Sequence, residues 1–386
     1  MTGPDPTPPV LPFRVEVPQA DIADLHDRLA RTRWPDGLPD AGWSYGIPLE
    51  YLRELAEYWR ADYDWQVHEA RLNRFPQLVT TIDGATVHAV HVRSPEPDAL
   101  PLVLTHGWPG SVVEFLEVLG PLADPRAHGG DPADAFHVVA PSIPGYGLSG
   151  PTFEPGWNVR RVAGAWCELM SRLGYDRFGA QGGDWGSRIS WQLGLTVPER
   201  VVGVHVNMLV PDVHAAAGLI LTADEQRRLD RFAYMQAELA GYSRLQSTRP
   251  QTLAYALTDS PVGQLAWIAE RFMEWTDAKN VPEDAVDRDH MLTDISLYWF
   301  TRTAGSAARL YYEYTRDTAF GPPPPTRVPT GVAVFGGDTM LPIRRIAERD
   351  NNIVHWSEFD RGGHFAAMEE PDLLVADVRA FFRRFR

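Results

Sequence analysis

From about residue 84 the chain alternates short apolar, β-branched runs with glycine turns and stretches of helical period, and this restricts its fold more than any other feature. The runs are Val87–Val92, Leu102–Thr105, His137–Ala140, Arg177–Gln181, Val201–Asn207, Val332–Phe335 and Ile353–Glu358. A strand that is apolar on both faces has to be buried on both, and strands separated by helices join in parallel through crossovers. The expectation is an α/β fold with a mainly parallel sheet and helices on both of its faces. The alternation stops between residues 211 and 320. That stretch is helical by pattern, rich in Trp and Tyr, and ends in Gly321 followed by Pro322–Pro325. A helical insertion after a strand, closed by a stiff proline linker, is read as a lid over the carboxyl edge of the sheet. The core resumes in 321–386, where the amphipathic stretch Pro371–Arg386 turns Leu374, Val378 and Phe381 inward.

Residues 1–83 read as irregular, Pro-rich chain with two short helices. Asp21 to Arg31 stripes Ile22, Leu25 and Leu29, and Pro48 to Arg60 stripes Leu52, Leu55 and Trp59. Both helices need a surface to pack on, so the segment is expected to be an arm laid on the core. The division is then 1–83 arm, 84–210 core, 211–320 lid and 321–386 core again.

Composition narrows the functions open to such a fold. With 386 residues, 44% of them hydrophobic and 23% charged, the chain can bury a large core. Asp+Glu 51 against Lys+Arg 36 gives a net charge of −15, which argues against a nucleic-acid or anionic-membrane partner. There is no apolar run of about 18 residues and no basic-then-apolar leader, so a soluble cytoplasmic protein is expected. A homodimer stays open. Cys167 stands alone, which excludes an internal disulfide and a thiolate metal site, and it reads as a small buried hydrophobe.

The chemistry is concentrated in a few loops. In Gly179–Ser187, GAQGGDWGS, a strand runs through small residues into a helix, with Asp184 at the bend. Small residues on either side let a chain turn sharply and expose the central side chain, as in the nucleophile elbow G-x-S-x-G. Here the centre is aspartate, and no G-x-S-x-G occurs in the chain, so a serine esterase is excluded. Asp184 as a mere helix cap is the plainer alternative. In PLVLTHGWPGS a strand reaches His106-Gly107-Trp108-Pro109. The N–H of Trp108, with that of Trp185 after the bend, would make a two-donor oxyanion hole. The Trp108–Pro109 bond is a candidate for the cis form. His106 reads as a structural imidazole. Asp338 follows the strand in VAVFGGDTM, and His364 follows two glycines in DRGGHFAAMEE. Asp184, Asp338 and His364 thus come in the order nucleophile, acid, histidine at three strand tips. Asp294 and the pair Glu369-Glu370 are competing acids that look like solvated helix-end charges.

These residues resemble the epoxide hydrolases of the microsomal type, on the α/β-hydrolase fold. The likeness extends over PFRVEVPQADIADLHDRLARTRWPD, HGWPGS, GGDWGS, STRPQTLAYALTDSPVGQLAWIAERF, YWFTRTAGSAARLYYE and RGGHFAAMEEP. Within the family the chain looks closest to soluble enzymes of enediyne antibiotic biosynthesis. The resemblance implies two lid tyrosines that grip the epoxide oxygen, falling on Tyr242 and Tyr311, with Tyr312 and Tyr314 as neighbours of the second.

A carboxylate displaces at carbon without a base to activate it, which suits attack by Asp184 on an epoxide. His364, oriented by Asp338, would then activate water against the ester, releasing a vicinal diol. No cofactor and no metal is expected, and the partner is a small-molecule epoxide, with thirteen tryptophans favouring a bulky or aromatic one. Two rivals share the pattern. A haloalkane dehalogenase-like hydrolase would form the same ester but need halide donors in place of paired tyrosines. A non-catalytic ligand-binding protein would have no use for Asp184 and His364 together.

Overall fold

A computed structural model describes residues 8–317 and 325–386 of the chain. Of the linker read at Gly321 and Pro322–Pro325, all but Pro325 lies outside the described residues. Among them, strands β1 (Leu11–Phe13), β2 (Gln77–Ile82), β3 (Ala85–Val92), β4 (Leu100–Thr105), β5 (Phe136–Pro141), β6 (Phe178–Gly182), β7 (Val201–Val206), β8 (Thr326–Phe335) and β9 (Asn351–Phe359) form one sheet. Its order is β1-β2-β3-β5-β4-β6-β7-β8-β9. The first four strands pair antiparallel, and from β5 to β9 every pairing is parallel. The parallel centre is covered by helices, so β6 and β7 are buried at every residue and read as apolar or small runs broken only by Gln181 and His205.

Strand glycines let one helix lie close to the sheet. A Cβ on Gly179 would stand 2.4 Å from the ring of Phe382, and one on Gly331 would stand 2.7 Å from Phe381. Both rings belong to the last helix, Pro371–Phe382. Asp377 of that helix accepts from the imidazoles of His205 on β7 (2.9 Å) and His355 on β9 (2.8 Å), which fastens it across two strands.

The arm is more deeply integrated than its Pro-rich sequence indicates. Its helices Gln19–Ala30 and Leu49–Ala61 are joined by a third, Trp65–Leu72, and by β1 and β2, which extend the sheet. β2 and β3 form a hairpin through Asp83 (φ 49°) and Gly84 (φ 77°), two left-handed residues that match the twist of paired strands. The expected boundary at 83/84 therefore falls inside a two-residue turn. The arm also seats on the helical insertion: Trp59, fully buried, donates to Ser296 (2.9 Å), and Tyr63 bonds Thr293 (3.0 Å).

The insertion between β7 and β8 is helical. Pro250 and Pro261 open helices at the position where a missing N–H costs nothing, and Thr222 with Glu225 forms a capping box. Helix Arg288–Thr301 is buried from His290 to Trp299, so it forms the centre of the insertion rather than its surface.

Candidate active site

Register brings the carboxyl ends of the central strands level. Thr105 of β4 pairs with Gly182 of β6, which pairs with Val206 of β7, and Phe335 of β8 pairs with Phe359 of β9. The residues that follow these ends therefore converge above the sheet.

Asp184 sits at the bend after β6 with φ 48°, a left-handed conformation uncommon outside glycine and strained for a side chain. Close packing holds it there. A Cβ on Gly182 would meet the Gly186 carbonyl at 2.3 Å, and one on Gly186 would meet the Thr105 carbonyl oxygen at 1.8 Å. The bend is thus closed to larger residues on both sides, and Asp184 is pushed out over the sheet edge. The backbone N–H of Trp108 donates to its Oδ1 at 2.8 Å. The Trp108–Pro109 bond is cis.

His364 Nε2 stands 3.5 Å from Asp184 Oδ2, and His364 Nδ1 is 3.2 Å from Asp338 Oδ1. Asp338 Oδ1 also accepts from the Thr339 N–H at 2.6 Å, so the carboxylate is oriented by its own turn. Asp338 and His364 are both buried. Burial by itself would lower the His364 pKa, but the anionic Asp338 and Asp184 outweigh it and raise the value well above 6.5.

Tyr242 and Tyr311 come from two helices of the insertion, Gly241–Thr248 and Arg309–Arg316. The Tyr242 ring stacks on Trp108 (5.0 Å, 6°). Tyr311 stands edge-on to Trp185 (4.7 Å, 87°), and the two tyrosines meet at 5.9 Å. Burial first, and then the nearby Asp184 among other groups, pushes both hydroxyls upward, so they stay protonated. Asp184, Trp185, Tyr242 and Tyr311 share one cavity of about 170 Å³, with Met208 and Phe232 among its walls. Tyr312 instead lies under the Arg316 guanidinium at 3.6 Å, and Tyr314 bonds Arg188. A groove of about 550 Å³ between arm and insertion contains none of the loop residues singled out above.

His106 accepts from the Ile143 N–H at 3.1 Å and lies 2.9 Å from its neighbour's carbonyl at Gly107, which requires a neutral ring with the proton on Nδ1. Burial lowers its pKa to about 4. The competing acids are not solvated helix ends. Asp294 is fully buried in mid-helix, accepts from Ser111 Oγ at 2.5 Å, and is pushed by burial to about 8. Glu369 accepts from the backbone N–H groups of Asp277 and Phe365, each at 2.9 Å, and burial raises it to about 8. Glu370 pairs with Arg361 at 2.5 Å. Charge suggested exposure, and tertiary packing supplied partners instead.

One acid escaped the sequence reading altogether. Glu114 folds back against Gly110, where a Cβ would fall 1.6 Å from its Oε1, and burial, then Asp294, raise it to about 8. A single charge inside Val112–Leu116 was the available signal.

The fold and this site define an α/β-hydrolase, and the profile described as "alpha/beta hydrolase fold" matches residues 101–371. The profile described as "Epoxide hydrolase N terminus" matches residues 10–115, the arm and the first strands. The chain is 47% identical to a Stigmatella aurantiaca protein named "Putative epoxide hydrolase", over 98% of this chain and 86% of that one. It is 36% identical to epoxide hydrolase 1 of Sus scrofa, over 96% and 88%. The structure of Aspergillus niger epoxide hydrolase superposes with a TM-score of 0.86 at 31% identity, covering 98% of this chain and 97% of that one. The chain belongs to the epoxide hydrolase family.

Proposed function

We propose that this epoxide hydrolase converts an epoxide and water to a vicinal diol through a covalent ester on Asp184. The observation that carries the reading is the two-sided environment of that carboxylate: Oδ1 accepts from Trp108 N–H, while Oδ2 faces His364.

Oδ2 attacks an epoxide carbon from the side opposite its oxygen, and the ring C–O bond breaks. Tyr242 and Tyr311 donate to the oxygen as it becomes an alkoxide and protonate it. Oδ1 is then the ester carbonyl oxygen, already held by Trp108. In the second half His364 takes a proton from water, the hydroxide adds to the ester carbonyl carbon, and the N–H groups of Trp108 and Trp185 stabilise the oxyanion. The acyl–oxygen bond breaks, and the departing oxygen takes the proton of the added hydroxyl, so that Asp184 is again a carboxylate. The imidazolium returns its proton to the tyrosine that protonated the epoxide oxygen, and the diol leaves with the oxygen that Asp184 first contributed. Alkylation also neutralises Asp184, one of the two anions that raise the His364 pKa. Forming the ester thus makes the imidazole a readier base for the step that needs one.

Two tyrosines sharing the cavity with the carboxylate favour this reading over halide displacement, which needs donors for a departing halide. The insertion acts as a lid that carries them. Aromatic walls support a bulky or aromatic secondary-metabolite epoxide as substrate, of the antibiotic-biosynthesis kind.

The test is one turnover in oxygen-18 water with enzyme in excess. The expected result is label in the peptide containing Asp184 and unlabelled first diol. Label wholly in the diol would overturn the ester.

A further inference from the structure

We propose that Arg188 is a substrate-recognition residue that binds a carboxylate carried by the epoxide at a distance from its ring. The inference rests on the reading that the epoxide reacts at Asp184.

Arg188 lies one turn beyond Asp184 on helix Asp184–Thr196, about 6 Å further along the axis. It borders the cavity that holds Asp184, Tyr242 and Tyr311, and also an adjoining cavity of about 280 Å³ walled by Val159, Trp191 and Leu209. Val210 and Tyr314 border both as well, so the two spaces adjoin along Arg188, Val210 and Tyr314. A molecule with its ring at Asp184 and its body in the second space has to pass Arg188.

No carboxylate among the described residues answers the charge on Arg188. Its Nη1 donates to Tyr314 Oη at 2.5 Å, and its guanidinium lies over the rings of Tyr314 (4.8 Å) and Trp185 (5.9 Å). Among the described residues it makes no ion pair, whereas Arg228, Arg271 and Arg288 of the insertion each have a carboxylate. A guanidinium has five donors in a plane, and one phenol oxygen engages only part of that fork. A carboxylate is the group that matches it, in a bidentate pair.

Electrostatics points the same way. A chain of net charge −15 with an anionic nucleophile repels an anionic substrate unless a cation stands on its path. Arg188 is placed to remove that penalty, while Trp191, Leu209 and Val210 take the apolar body.

The experiment compares kcat/KM for 4-(oxiran-2-yl)benzoate, its methyl ester and styrene oxide, in the wild type and in Arg188→Met and Arg188→Lys. We expect the wild type to favour the carboxylate over its ester by about tenfold or more. Arg188→Met should bring that ratio to one or below, chiefly through KM, and Arg188→Lys should keep part of it. A residue that merely supports Tyr314 would lower all three substrates together and leave the ratio in place, which would overturn the proposal. A wild-type ratio of one or less overturns it also, and decides the matter even if Arg188→Met fails to fold. Failure to turn over any of the three would instead count against epoxide opening at Asp184.

Discussion

His364 Nε2 and Asp184 Oδ2 stand 3.5 Å apart, and that nitrogen, although buried, has no hydrogen-bond partner among the described residues. At this distance the imidazole is beside the carboxylate rather than bonded to it. In the proposed mechanism this spacing leaves Oδ2 for attack and the nitrogen for a water that arrives later.

Replacing Asp184 by Ala should lower diol formation by about ten-thousand-fold or more, because among the described residues lining the cavity it is the only carboxylate able to form the proposed ester. Steady-state assay with a circular-dichroism check of folding measures it. Asp184→Asn should match at early times, and activity regained on standing would report deamidation.

Changing His364 to Gln should leave alkylation possible and stop hydrolysis. Mass spectrometry after mixing with styrene oxide should show the protein heavier by one substrate. An unmodified protein would count against two separate steps.

Tyr242→Phe and Tyr311→Phe should each slow alkylation by about tenfold to a hundredfold, and the double variant by about a thousandfold. Stopped-flow tryptophan fluorescence reads this directly, since Trp108 stacks on Tyr242 and Trp185 meets Tyr311 edge-on. Unchanged rates would remove these tyrosines from the mechanism.

Asp338→Asn should move the pH dependence of ester hydrolysis. The Asp338 anion favours the imidazolium and raises the His364 pKa. Without it the imidazole becomes neutral at lower pH, so the acid limb of the hydrolytic rate should shift downward while its plateau falls. A limb that stays in place would mean that Asp338 does not set the charge of His364.

Asp377→Ala tests the fastening of the last helix. It leaves the buried imidazole of His205 and the half-buried one of His355 without their acceptor and should cost about 3 kcal/mol, read as a lower thermal midpoint. Burial opposes ionisation of Asp377, but the bonds from His205 and His355 outweigh it and hold its pKa below 3.8. A carboxyl with a depressed folded pKa contributes stability above its unfolded value and loses it as pH falls through the folded one. Wild type and variant should therefore converge only in strong acid.

The legible parts of the site were those written locally. Small residues around Asp184 announce a sharp bend because larger ones collide with Gly186 and Thr105. Asp338 and His364 were legible as residues just past apolar runs. Tyr242 and Tyr311 were reached by resemblance alone, since any tyrosine of an aromatic insertion can fill a core. Glu114 and Asp294 were respectively missed and misread, because charge in a sequence speaks for solvent until a partner such as Ser111, 183 positions away, is brought beside it. The arm was half read: its helical stripes were visible, but β1 is three residues long and β2 looks like loop until β3 pairs with it.

The sequence by itself determined the α/β alternation, the bend at Asp184 and the chain order of the reacting groups, because each depends on near neighbours through sterics and periodicity. Tertiary structure alone decided which acids lose water, which tyrosines share a cavity with the carboxylate, and that Arg188 borders two cavities with no ion pair among the described residues. Those properties arise from distances across the fold, where burial and the nearest charge set what a side chain can do.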